Sequence, residues 1–152
     1  MPIATGQSDH SNPKRHRLKF RWLSGPYAIV RLPPDAPVPA WATKGDFASA
    51  TRSVDELSVV CPADNLPADV HSEHHWIGYK LEGPFPFSLT GVLLSFIEPL
   101  SENGVPIFAI STYDTDYVLV QEEYAGMTLQ ALAEAGHELV GDDDESWRKL
   151  IE

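Results

Sequence analysis

Two hydrophobic periods divide the chain. In its first part the apolar residues come in short runs. Leu18-Lys19-Phe20-Arg21-Trp22 alternates apolar and polar positions, and Tyr27–Leu32, Phe47–Thr51 and Ser58–Cys61 are further runs bounded by turn residues. The spacing predicts four strands, the first two joined as a hairpin by Ser24-Gly25-Pro26. Pro33, Pro34, Pro37 and Pro39 exclude regular pairing after the second strand, and Trp41 starts a short helical turn. Ser53–Leu57 has the composition of one helical turn with Ser53 as its N-cap.

The second part shows both periods. His75–Leu81 places Ile77, Tyr79 and Leu81 on one face of a strand. Leu89, Val92, Leu93, Phe96, Ile97 and Leu100 then recur at spacings of three and four, which predicts an amphipathic helix. Ser88 or Thr90 caps its start, Gly104 ends it as the left-handed residue after Asn103, and Pro99 kinks its last turn. Val105–Ile110 and Tyr117–Val120 read as a hairpin, followed by a helix over 125–135 and a strand over 137–140. Strand–helix–strand–strand–helix–strand is the ferredoxin-like βαββαβ order, an α+β fold with helices on one face of an antiparallel sheet. The first part reads as a degenerate version of the same unit with its helices reduced. The expected division is a tail over 1–16, an N-terminal unit over 17–68, a C-terminal unit over 74–141 and an acidic tail over 142–152.

Composition narrows the function classes. Hydrophobic residues make up 43% of the 152, enough to bury a core and to exclude a disordered chain. A single cysteine, Cys61, forbids an internal disulfide framework, and with no signal-like apolar segment the expected location is cytoplasmic. The net charge of −11 argues against a nucleic-acid or anionic-membrane partner, because phosphate surfaces demand basic ones. Against that background the basic cluster Lys14-Arg15-His16-Arg17 reads as a lead-in to the first strand. No nucleophile elbow, phosphate-cradling loop, dinucleotide fingerprint or zinc-protease motif is present, so the chain is read as non-enzymatic, with no cofactor or metal expected. His71, Glu73, His74 and His75 crowd the stretch between the halves, which reads as a flexible crossing.

Candidate chemistry gathers in the second unit. Phe85–Gly91 delivers a helix N-terminus, whose free amides favour a carboxylate near Phe87, Ser88, Leu89 and Thr90, and Gly91 allows close approach to the backbone. Ser111-Thr112-Tyr113-Asp114-Thr115-Asp116 is rich in hydroxyls and carboxylates. Asp114 and Asp116 either receive an ammonium or guanidinium group or bond the amides of their own turn. This loop and this turn are expected at opposite ends of the sheet. A small ligand touching both would then lie between two units packed antiparallel.

The strings Phe87–Leu93, Pro99-Leu100 and Gly104–Val120, above all STYDTDY followed by VLV, resemble the small stand-alone bacterial ACT-domain proteins. The ACT units of those proteins are similar to those of the CASTOR-type cytosolic arginine sensors. Phe47–Cys61 resembles the N-terminal unit of the same proteins, so the likeness runs from about Leu18 to Val140. The resemblance implies tandem ACT-like units that pair side by side into a homodimer and bind an amino acid at the unit interface in a regulatory role. It adds Pro106 and Ile107, and an acidic residue within Ser111–Asp116, to the expected ligand contacts. Pro106 offers neither a backbone N–H nor a hydroxyl, a departure that argues against arginine itself. The alternative is a protein-interaction adaptor for a regulated protein, with Tyr113, Asp114 and Asp116 as its docking surface and no small-molecule ligand.

Overall fold

The computed structural model describes residues 15–141, so Lys14 and the acidic tail over 142–152 lie outside the described residues. The strands are β1 (Lys19–Trp22), β2 (Tyr27–Leu32), β3 (Ser49–Arg52), β4 (Leu57–Pro62), β5 (Trp76–Leu81), β6 (Ile107–Ser111), β7 (Asp116–Gln121) and β8 (Glu138–Leu139). The helices are α1 (Val92–Glu102) and α2 (Ala125–Glu134). Short 3-10 turns at Ala40–Thr43, Ala63–Asn65 and Glu122–Tyr124 complete the order.

The eight strands of the described residues join one sheet, and β5 is its hub. One edge of β5 pairs with β7, which pairs in turn with β6. The other edge takes β1 over Trp22↔Tyr79 to Phe20↔Leu81, and then β2 at Tyr27↔Trp76. The expected β1–β2 hairpin is therefore a correction: the two strands run end to end along the same edge of β5. Ser24-Gly25-Pro26, with Gly25 at φ 75°, turns the chain sideways and lets it go on in the same direction. β1 also separates β5 from β8, with which it pairs in parallel at Lys19↔Glu138 and Phe20↔Leu139. A strand from the first 68 residues thus completes the sheet of the C-terminal βαββαβ unit.

The order β3-β4-β2 repeats half of that unit without its helix. The proline-rich connection between β2 and β3 holds only the 3-10 turn at Ala40–Thr43. Arg52 donates to the carbonyls of Pro34 and Ala36, and Asn65 Nδ2 donates to those of Trp41 (3.1 Å) and Lys44 (2.9 Å), so side chains pin the connection where a helical ladder is missing. Ser53 does not open a helix. Its Oγ accepts from the amides of Asp55 and Glu56 inside the β3–β4 hairpin turn, because the bonds that cap a helix also close a tight turn.

Three apolar clusters follow from strand alternation. Phe20, Ile77, Tyr79, Leu81, Val118 and Val120 meet Phe96, Leu100, Leu129 and Leu132 under the helices. Ala28, Val30, Leu57, Val59 and Cys61 face Trp41, Ala42 and Leu66. On the face away from the helices Phe47 stacks on Tyr117, ring centroids 4.0 Å apart, beside Tyr27, Val60 and Leu119. Helix α1 ends as its sequence predicts: Gly104 (φ 72°) donates to Ser101 O and Val105 to Leu100 O, the paired bonds of a Schellman cap, with Val105 buried.

Candidate functional site

The 112–115 turn is built largely from its own side chains. The Thr112 amide donates to Thr115 O at 2.8 Å, the Thr112 hydroxyl donates to the same carbonyl at 3.1 Å, and Ser111 Oγ donates to Asp116 Oδ1. Buried Thr115 donates from Oγ1 to Leu81 O at 2.7 Å, which fixes the turn to the end of β5. Asp116, Ser111 and Thr112 are thereby committed to turn formation. Asp114 is exposed, and its carboxylate has no hydrogen-bond partner among the described residues.

The loop after β5 meets this turn. The Phe85 amide donates to Asp114 O at 2.8 Å, and the Phe87 and Tyr113 rings stand edge to face at 4.9 Å. The expectation of opposite ends is overturned. β7 is antiparallel to β5, so the start of β7, and the turn before it, abut the end of β5 from which the 82–91 loop departs. Phe87, Ser88, Leu89, Thr90 and Gly91 therefore share one end of one unit with Ser111, Thr112, Asp114 and Asp116. Pro106 and Ile107 do not join them. Ile107 pairs with Val120 and Ser111 with Asp116, so they occupy the two ends of β6, about 13 Å apart at ~3.3 Å per residue.

Glycine 83 sets how closely loop and turn approach. A Cβ there would lie 2.8 Å from Asp114 O and 3.1 Å from Phe85 N, backbone atoms that cannot swing aside. Gly83→Ala is expected to break the Phe85–Asp114 hydrogen bond and to cost about 1–3 kcal/mol. Chemical denaturation and amide exchange at Phe85 measure this, and unchanged protection at Phe85 would show that the approach is not tight.

At the start of α1, Ser88 and Thr90 do not cap. The N-cap is Gly91 at φ 81°, without a side-chain hydrogen bond. Ser88 and Thr90 are exposed, and the Thr90 carbonyl accepts from His16 Nε2 at 2.8 Å. The basic cluster is here an anchor, since Arg15 pairs with Glu98 at 2.8 Å and the His16 amide donates to Ser95 Oγ at 2.9 Å.

A buried polar relay escaped sequence reasoning. Pro99 has no N–H for the carbonyl four residues back, and that carbonyl, Ser95 O, accepts from His137 Nε2 at 2.8 Å. His137 Nδ1 accepts the Leu18 amide at 3.0 Å, so the imidazole is the neutral Nε2–H tautomer. The available signal was a helical proline paired with a histidine just past a helix-ending glycine.

The perturbed titratable groups lie away from the loop–turn end. Burial, with Asp46 adding to it, pushes the Tyr27 hydroxyl up to about 12, and burial alone raises Tyr79 and the Cys61 thiol. A buried thiol shifted upward is not a nucleophile at neutral pH. Among the described residues no group of three or more His, Cys, Asp and Glu is placed to hold a metal, and no helix is long and apolar enough to cross a membrane.

Comparison with known proteins bears on the fold and the family. The ACT-domain family model matches residues 71–134, and a second model, described as an N-terminal domain, matches residues 25–69. Protein Atu0741 of Agobacterium tumefaciens, known from its crystal structure, is 46% identical, with 82% of this chain and 93% of that one covered at a TM-score of 0.77. Human CASTOR3P is 25% identical over 91 residues, 51% of this chain and 56% of that protein, so the chain spans about half the length of this curated relative. The aspartokinase α and β subunits share the fold at 17% identity and a TM-score of 0.57, with 79% of this chain and 98% of that one covered. The chain belongs to the ACT-domain proteins.

Proposed function

We propose that the protein is a non-catalytic regulatory module that binds an amino acid, with the loop–turn end of its ACT unit as one half of a site completed by a second unit in a homodimer. The observation that carries this is the meeting of the 85–91 loop and the 112–115 turn at one open end, where the Asp114 carboxylate is uncommitted. A single unit leaves that end exposed on its outer side: Phe87 is 76% and Tyr113 79% accessible. Enclosing a small ligand there takes a second wall, and a copy of the same unit supplies one with self-complementary symmetry. The α-carboxylate would meet the start of α1 near Ser88–Gly91, and the cationic group would meet Asp114. Because Asp116 is held by Ser111, Asp114 is the better candidate of the two acids.

Thermal shift against the twenty amino acids tests this. A ligand of the native state at a hundred times its Kd adds about 2.7 kcal/mol of stability, and Asp114→Ala should remove most of that gain while Asp116→Ala only loosens the turn. No shift with any amino acid at millimolar concentration would sink the ligand reading. The adaptor reading, favoured by two open aromatic rings beside a free acid, would then take its place.

A further inference from the structure

A cavity of about 350 Å³ opens on the helix side of the molecule, and its lining residue His16 bonds the Thr90 carbonyl at the edge of the loop–turn end. Its walls are the Arg15–Arg17 segment leading into β1, the outer stripe of α1 from Ser95 to Glu102, and the Ala135–His137 link between α2 and β8. The volume falls within the range of small-molecule sites.

Its charges are unevenly committed. Arg15 is paired with Glu98, His16 bonds Thr90 O, and both nitrogens of His137 are used by Leu18 and Ser95. Two lining charges remain. Arg17 lies against Gly136, where an added Cβ would come within 3.2 Å of its Nε, and Glu102 closes α1. Neither has a hydrogen-bond or ion-pair partner among the described residues, and they do not pair with each other. One free cation and one free anion on different walls do not suit a simple anion or a simple cation, since either would leave an unmatched charge beside it. A molecule carrying both charges leaves neither unmatched. The C-terminal end of the α1 dipole adds to the attraction of Glu102 for an ammonium.

We infer that this cavity is a second ligand site, taking a zwitterionic amino acid with its carboxylate on Arg17 and its ammonium on Glu102. It shares the ligand class of the function proposed above and rests on it in that respect, but it differs in place. His16, Ser95 and His137 form a rigid polar floor, which fits a site that tightens the N-terminal segment onto α1 when filled.

Titration calorimetry with the twenty amino acids tests the assignment, followed by the α-amide and N-acetyl derivatives of the tightest one. Arg17 and Glu102 are both exposed, so Arg17→Gln and Glu102→Gln should fold normally, as circular dichroism will verify. Each is expected to weaken one binding event about tenfold, as are the two blocked derivatives, while Asp114→Asn leaves that event unchanged. If Asp114→Asn abolishes all binding and the cavity variants bind as the parent does, the cavity assignment falls and the loop–turn site stands. Equal binding of the blocked derivatives would overturn the zwitterion. An absence of heat with every amino acid would overturn both proposals.

Discussion

Phe20→Ala is expected to destabilise the protein by about 3–5 kcal/mol, the usual cost of emptying an aromatic site in a packed core. Phe20 is 2% exposed and stands edge to face with Tyr79 (5.8 Å) and Phe96 (5.3 Å), so its removal leaves a void bounded by β1, β5 and α1. Its position in the sheet enlarges the consequence. β1 separates β5 from β8 and runs directly toward β2, so loosening β1 detaches β8 and weakens the junction between the halves. Urea denaturation followed by tryptophan fluorescence measures the effect: Trp22 and Trp76 report β1 and β5, while Trp41 reports the proline-rich connection. A single transition with a much lower midpoint is expected. A loss below about 1 kcal/mol would mean that the site collapses around the void or that β1 is peripheral to folding.

That strand also marks how far the sequence could be read. Elements governed by local chemistry were legible. The three- and four-residue spacing from Val92 to Leu100 predicted α1, and Asn103-Gly104-Val105 predicted its Schellman ending. The βαββαβ order followed from periodicity alone. Partners set by distant contacts were not legible. Leu18–Trp22 and Tyr27–Leu32 look like hairpin arms, yet both find β5, and alternation cannot say which edge a strand will take. Ser53 shows the same ambiguity at short range, since one set of hydroxyl–amide bonds serves a helix cap and a tight turn alike.

The candidate site was legible as residues but not as an arrangement. Composition singles out Asp114 and the 85–91 loop, whereas their proximity follows from the antiparallel pairing of β7 with β5, a fact of topology. Once strand direction is considered, the turn before β7 can lie only at the end where β5 stops. Asp116 carries the charge a cation needs but is spent on Ser111, while Thr115, buried against Leu81 O, holds the turn in place. Counting acids and hydroxyls does not separate those facing a ligand from those closing a turn.

The relay at His137 gives the second large effect. His137→Phe keeps a planar ring of similar breadth in a site that is 7% exposed, beside Phe96 at 5.8 Å, so packing changes little. What is lost is polar: the Leu18 amide no longer has an acceptor and Ser95 O no longer has a donor. Each buried group left unpaired costs about 1–3 kcal/mol, so a total of about 2–6 kcal/mol is expected. A merely bulky or strained replacement would produce a similar loss, and Pro99 offers the means to tell these apart. Pro99→Ala restores an N–H four residues after Ser95 and gives that carbonyl a partner within the helix. In the Pro99→Ala background, His137→Phe therefore orphans only the Leu18 amide, and its cost should fall by about 1 kcal/mol or more. Denaturation of the two single variants and the double variant closes the cycle. Strict additivity would show that the histidine is held for its shape, and that the carbonyl freed by the helical proline is satisfied by some other group.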